Sequence, residues 1–532
     1  MRRFLLASVA TLAAIVASSI ASAQTIKVVM HSDVKALDPV WSGAYITRNH
    51  AYMIYDTLFA IDEKLQVKPQ MVDSWTTSDD GLTWSFKLRD GLEWHDGTPV
   101  TSEDCVASLK RWSARDSMGQ KLALSLQDYK IVDPKTFQIV LKHKFGLLLE
   151  AIGKPSVTVP FMMPKKIAET DAFTQIDNYI GSGPFIFKKD EWKPGEKLVY
   201  VKNPKYKPRA EPMSGLAGGK VVSVDRVEWV WIPDPETQLN ALLNGEIDMI
   251  ESVSYDHLPV LEKNKDIRVI TIPTSNQYVF RMNWLQPPFN NVKIRQAAAY
   301  ALSQEEFLQA NIGDKRFYRV CKAMFTCDTP LATTAGMDGL IEGNVTKARE
   351  LLKEAGYDGT VVVIPQPTDL GVIKQLAPVA KSQLEKAGFK VEVQPMDWQS
   401  MVTRLTTKRG PPSEGGWNAF GTSWVQLDIL DPLMTPNLAT TCEKARSGWP
   451  CDEGMEKLRD KFARHYASGE ESRGRGSAGL RHADRDSCAA RRVVHRLGGA
   501  RQYRHHGCAV ADHRVLGHDQ EVTARALSSR TQ

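Results

Sequence analysis

Strand and helix signals alternate along nearly the whole chain, and this alternation confines it to a mixed α/β architecture. Residues 26–30 form a short apolar strand. Residues 82–88 set Leu82, Trp84, Phe86 and Leu88 against polar partners at period two, as in a half-buried strand, and Asp90-Gly91 and Asp96-Gly97 punctuate the turns after it. Past Pro99, Thr101 opens a segment with Glu103 and Asp104 in its first turn and Val106, Leu109 and Trp112 on one face, a capped amphipathic helix. The order recurs with a strand at 227–232, then Asp234-Pro235-Glu236 and a helix over 237–243 that stops at Gly245. Helices over 345–355 and 377–387 stop at Gly356 and Gly388, the second just before a strand at 390–393.

The chain has 532 residues, more than one hydrophobic core serves, so two or three domains are expected. Its body has no internal repeat and no long low-complexity linker. Any boundary between lobes must therefore be a brief crossover. Residues 1–23 begin with Arg2 and Arg3, run apolar from Phe4 to Ile20 and close on Ala21-Ser22-Ala23, the pattern of a cleavable secretory signal. The mature chain is expected to start near Gln24 and to reside in the periplasm. A membrane anchor is the competing reading, but Ser8, Thr11, Ser18 and Ser19 interrupt the apolar run and no stop-transfer charges follow.

The net charge of +6 invites a nucleic-acid reading, yet its sources lie at the ends. Arg2 and Arg3 supply two charges, and residues 471–532 hold twelve Arg against six acidic residues. The body between them is slightly acidic, and no nucleic-acid partner is expected. Cys321 and Cys327 lie close together, and Cys442 and Cys451 bracket a Gly-Trp-Pro segment, so each pair is expected to close a small disulfide loop in an oxidising compartment. A metal site would need convergent Cys or His at ligand spacing, and no His lies beside either pair. Neither a metal nor a cofactor is expected.

Catalytic patterns are missing as well. There is no Gly-x-Ser-x-Gly and no His-Glu-x-x-His, which disfavours a secreted hydrolase. Gly181-Ser182-Gly183 reads as a glycine-supported turn, residues 215–220 as a loop with Ser214 where a phosphate loop needs Gly, and His95 as a structural turn residue.

Five ordered segments resemble the family 5 extracellular solute-binding proteins of dipeptide, oligopeptide and nickel importers. The most specific is GLTWSFKLRDGLEWHDGTPVTSEDC at 81–105. The others are YIGSGPFIFKKDEW from Tyr179, PETQLNALLNGEIDMI from Pro235, MNWLQPPFNNVKIRQAAAYAL from Met282 and KARELLKEAGYDG from Lys347. The likeness spans roughly residues 25–466. It implies a periplasmic binding protein type II-like fold, two α/β lobes joined by a hinge, with lobe I over 24–270, an extra subdomain inside it at about 60–170, and lobe II over 271–469. It also implies a binding component rather than an enzyme, a monomer that closes around a peptide or peptide-like solute and delivers it to the permease subunits of an ABC importer. The same fold accommodates nickel chelates, haem, opines and oligosaccharides.

The cleft is expected to be aromatic with a few placed charges, and the segment FGTSWVQLDILDPL at 420–433 is the best candidate. In the peptide-binding members it resembles, an acidic residue three positions before an Asp-Pro element pairs with the ligand's α-amino group, and Asp428 stands three before Asp431-Pro432. Helix capping is the other reading of Asp428. Trp424 walls the pocket or packs in a core. Trp41, Tyr45 and Arg48 follow the Leu37-Asp38-Pro39 turn where the family's cleft-facing segment lies, which offers Arg48 to a ligand carboxylate. Trp398 lines the site or packs on the helix that follows it.

From about residue 469 the composition breaks. The last 62 residues contain no Lys, Ile, Phe, Trp, Met, Pro or Asn and hold half of all His. The segment 470–532 is read as a shifted reading frame that replaces the C-terminal return to lobe I implied by the resemblance. A basic tail for nucleic acid or anionic membrane is the alternative, but such tails cluster Lys with Arg, and Cys488 and Cys508 fit neither role.

Overall fold

The computed structural model describes residues 24–465, apart from 328 and 330, together with the backbone of 486–496. The expected signal at 1–23 and the rest of the tail lie outside the described residues. The main sheet is built around β1 (Thr25–Val29), β2 (Met249–Ile250), β3 (Ile267–Met282), β4 (Ala419–Val425) and β5 (Asp486–Arg496). It has nine strands. Their order is β4-β3-β5-β2-β1, then Arg226–Val230, Lys197–Lys202 and Phe185–Phe187, with Tyr318–Arg319 added beside β5. β1 runs parallel to both β2 and Arg226–Val230, whereas β5 is antiparallel to β2 and β3. Pieces more than two hundred residues apart thus meet in the middle of one ladder.

β3 is rich in β-branched and aromatic residues along its 16 residues, which favours an extended chain packed on both sides. Its first residues pair with 492–496 and its later ones with 486–490, with a register irregularity between Thr271 and Ser275. The expected boundary between residues 270 and 271 therefore falls inside β3, beside that irregularity.

Three large apolar cores dominate the described residues. One lies under β1 and α1 (Tyr45–Ile54) and includes Val28, Met53, Tyr200 and Trp229. A second belongs to an inserted antiparallel sheet, Val72–Thr77, Thr83–Leu88, Thr136–Leu141 and Leu126–Asp133, covered by α2 (Ser102–Arg115). Phe86 and Phe137 sit opposite one another there and stack with centroids 5.3 Å apart, a cross-strand pair that sets the register. The third gathers the helices between residues 292 and 387 on β3 and β4. The segment expected to form one lobe over 271–469 is divided: Phe325, Leu433, Met434, Leu438, Met455 and Phe462 pack into the inserted subdomain's core instead. Residues from this segment thus complete the core built on the inserted sheet.

The local signals act as read. Thr101 and Asp104 form a reciprocal capping box at the start of α2. Asp234 caps α3 (Pro235–Asn244), which ends at Gly245 with φ 76°, and α4 (Leu376–Ala387) ends at Gly388 with φ 104°, both in the left-handed region that a side chain resists. Gly181-Ser182-Gly183 passes so near the end of α1 that a Cβ on Gly181 would lie 1.8 Å from the Ile54 carbonyl oxygen. His95 fastens this turn: its Nδ1 accepts from the Gly181 N–H at 3.2 Å, and its own N–H donates to the Gly181 carbonyl at 2.8 Å.

Burial lowers the His95 pKa to about 4 and the His50 pKa to about 3, below the ordinary value of 6.5, so both are neutral in the folded protein. The unfolded chain takes up protons first as the pH falls through about 6.5, so stability present at neutral pH is lost toward pH 4. His95 accounts for roughly 3 kcal/mol of that loss. Urea unfolding near pH 7 and near pH 4.5 measures it, and His95→Gln is expected to shrink the difference. Separately, truncation after residue 470 removes β5 and leaves β2 and β3 with unpaired edges in mid-sheet. Circular dichroism is expected to show loss of the cooperative melt; an unchanged transition would contradict this pairing.

Candidate functional site

The turn before α1 is held by Asp38. It is fully buried and receives the Arg111 guanidinium in a fork, at 3.1 Å and 2.7 Å, with further N–H donors from Val40 and Ile176. Because Arg111 belongs to α2, the inserted subdomain fixes where α1 starts and so where Tyr45 points. Opposite α1, β4 ends in the short 3-10 turn Gln426–Asp428. Asp431 then accepts from the N–H groups of Leu433 and Met434, so the capping role of this segment falls to Asp431 and leaves Asp428 for another purpose.

Tyr45 closes the gap between the two walls. Its hydroxyl donates to Asp428 Oδ2 at 2.5 Å and accepts from the Val425 N–H at 3.0 Å. Burial, and then the Asp428 charge, push the Tyr45 hydroxyl well above its ordinary pKa, so it stays a donor. Asp428 is 0% exposed. Burial raises its pKa as well, offset by Arg48, Ser156, Tyr45 and Lys154. Its Oδ1 nevertheless makes no well-formed hydrogen bond among the described residues. A buried carboxylate oxygen without a donor is costly unless something else supplies one.

Arg48 is 3% exposed, and its guanidinium donates to Ser156 Oγ at 2.6 Å and twice to Asn49 Oδ1. Asn49 donates in turn to Glu251, which also holds His31 at 2.7 Å. Arg48 thus belongs to a buried network behind Asp428 that ties α1 to Ser156 and, through Asn49, to Glu251. Beside it, Lys154 and Asp116 form a fully buried ion pair, with Asp116 also capping the next helix through Met118 and Gly119.

The remaining expected residues are distributed unevenly. Trp424 is half-buried on the Asp428 side, with an indole N–H that has no partner among the described residues. Trp41 is 37% exposed at the rim, where its carbonyl accepts from Arg115 at 2.9 Å. Trp398 packs against the small core of Met401, Leu405, Trp417, Phe420 and Trp449 at the start of its own helix, Trp398–Thr407. The disulfides are Cys321–Cys327 and Cys442–Cys451, as the spacing indicated. Sequence reasoning passed over Ser156, Asn49 and Glu251, and also Arg446, whose guanidinium lies 5.2 Å from the centre of the Trp424 ring. No spacing rule marks them; only the disulfide loop around Arg446 was visible. A separate small apolar pocket, lined by Tyr278, Phe280, Leu302 and Phe307 among others, lies in the third core. It shares no residue with the Tyr45–Asp428 cluster.

The chain is similar to known proteins over most of its length. The model of bacterial extracellular solute-binding proteins, family 5, middle region, matches residues 66–446. A probable peptide ABC transporter periplasmic-binding protein, y4tO of Sinorhizobium fredii (strain NBRC 101917 / NGR234), is 39% identical over 453 residues, 84% of each chain. The glutathione-binding protein GsiB of Escherichia coli (strain K12) is 27% identical over 443 residues, 82% of this chain and 81% of that one. The ABC transporter-associated periplasmic binding protein DppA from Helicobacter pylori, solved in complex with the peptide STSA, superposes with a TM-score of 0.73 at 20% identity, covering 91% of this chain and 96% of its own.

Tyr45→Phe is expected to cost about 1–3 kcal/mol in urea unfolding, because the Val425 N–H loses its acceptor and the buried carboxylate loses its donor. No change in midpoint would mean that the two walls are held together by something else.

Proposed function

The chain belongs to the family 5 bacterial extracellular solute-binding proteins, and from that premise we propose that it captures peptides or peptide-like solutes between α1 and the 424–428 segment for an ABC importer. Its fold is that of a type II periplasmic binding protein, and the family consists of binding components of transporters. Such proteins work in the periplasm or outside the cell. A cleaved signal over residues 1–23, delivery to inner-membrane permease subunits and action as a monomer complete the reading.

One observation carries the choice of cargo: the buried Asp428 carboxylate, with one oxygen held by Tyr45 and the other making no well-formed hydrogen bond among the described residues. A ligand ammonium supplies that donor and the compensating charge together. With Asp428 enclosed, the walls must part to admit the solute and close again over it, so ligand affinity is spent partly on the closed state. Aromatic surface from Trp424 provides the apolar part of the pocket.

A thermal-shift screen of the protein against mixed short peptides, nickel chelates, opines and neutral sugars tests the cargo, since a ligand that binds only the folded state raises Tm. Peptides are expected to stabilise it. Asp428→Asn is expected to keep the ligand-free melt and to weaken peptide binding about a hundredfold or more, the loss that follows when a buried charge pair is broken. Stabilisation by sugars alone, or equal affinity in the variant, would overturn the assignment.

A further inference from the structure

The two disulfides lie in different surroundings. Cys321–Cys327 is shielded: Cys321 is 2% exposed, and the Gln304 side chain donates to its carbonyl and accepts from its N–H. Cys442–Cys451 is open, with Cys451 exposed and Cys442 half-buried. The ring that it closes also holds its backbone at a cost. Cys442 has φ 60° and Trp449 φ 43°, two of the three non-glycine residues with positive φ among the described residues, in the left-handed region that side chains resist. Of the two bonds, the exposed one on strained backbone is the one that an incoming thiol reaches and opens first.

This ring joins two bodies. On one side, Trp449 packs with Phe420 of β4 and with Trp417 just before it, the Arg281 Nε donates to the Ser447 carbonyl at 2.7 Å, and the Trp284 N–H donates to the Gly448 carbonyl at 2.8 Å. On the other side, the residues flanking the two cysteines belong to a clip on the inserted subdomain. The Thr440 N–H donates to Glu456 at 2.7 Å, Asp452 accepts from the Met455 N–H at 3.0 Å, and Lys121 of the subdomain reaches Glu456 at 3.0 Å and Asp460 at 2.5 Å. Met455 and Phe462 complete the clip by entering the subdomain's core. The wall that ends in Asp428 therefore leans, through Trp449, on a loop whose shape one exposed bond maintains.

We propose that Cys442–Cys451 is a thiol–disulfide exchange site for a dithiol reductant, and that its reduction uncouples the β4 wall from the clip and weakens retention of cargo. The effect on cargo rests on the peptide-like reading above. A thiolate of the dithiol attacks the sulfur of Cys451, the more exposed partner, and the Cys442 sulfur leaves as a thiolate that takes up a proton. The second thiol of the reductant then displaces Cys451 from the mixed disulfide. Two electrons and two protons pass to the ring, which ends as two thiols, and the reductant ends as a disulfide. The backbone at Cys442 and Trp449 is then free to leave the left-handed region, and Trp449 loses its fixed seat beside Trp417 and Phe420. Cys321–Cys327 stays closed.

Graded reduction of the full chain with dithiothreitol, thiol alkylation and peptide mass analysis test it. Cys442 and Cys451 are expected to be labelled at roughly tenfold lower reductant than Cys321 and Cys327. In that singly reduced form, hydrogen exchange at the Trp284 N–H is expected to speed up while the Cys321 N–H stays protected, and a pool of di- and tripeptides is expected to bind roughly tenfold more weakly, recovering on reoxidation. The paired substitutions Cys442→Ser and Cys451→Ser should reproduce the reduced form and remove the response to reductant. Both disulfides opening together, an opened ring with unchanged Trp284 exchange, or equal peptide affinity in the two redox forms would each overturn the inference, and these wild-type measurements decide it even where the double variant fails to fold. Peptides that bind neither form would remove the peptide reading, whereas selective reduction with faster Trp284 exchange would still support the exchange site.

Discussion

A single strand, β3, ties the molecule together. Its early residues lie beside β5 where β5 also meets β2, and its last seven pair with β4. The wall that carries Tyr45 follows from β1 on one side of this strand, and the wall that carries Trp424 and Asp428 hangs from the other. Side chains alternate faces at period two, so a slip of one residue along β3 would invert everything bonded beyond it. The irregularity between Thr271 and Ser275 confines the departure from regular pairing to one short stretch and leaves the ladder on either side in register.

Charge is the second constraint. Several buried ions among the described residues are paired and hydrogen-bonded: Asp38 with Arg111, Asp116 with Lys154, and Asp56 with Lys220 and the Tyr206 hydroxyl. Each bond brings distant segments together, and desolvation makes each pairing obligatory. Asp428 departs from this pattern. Its Oδ1 makes no well-formed hydrogen bond among the described residues, and neither does the indole N–H of Trp424 beside it.

Much of the local structure was legible because its causes are local. The Thr101–Asp104 box, the Asp234 cap and the glycines after α3 and α4 place helix ends within a residue or two, since caps and left-handed turns depend on neighbours in sequence. Four of the six expected site residues, Tyr45, Arg48, Trp424 and Asp428, do come together. Arg48 turns inward because Ser156 and Asn49 claim its donors, and Trp398 is drawn to a different core by Trp417 and Trp449. The division of residues 271–469 between two cores could not be read, because it depends on apolar contacts between segments far apart in the chain.

The order of strands and helices, the two short disulfide loops, the acidic residue beside an Asp-Pro turn and the likeness to solute-binding proteins are all written in the amino-acid sequence. They depend on spacing along the chain, and spacing is what a sequence records. Which groups end as neighbours is decided only in three dimensions. Gly43 meets Arg446, and Tyr45 meets an aspartate 383 residues away. Those distances are set by how the cores pack together, and no local pattern carries that information.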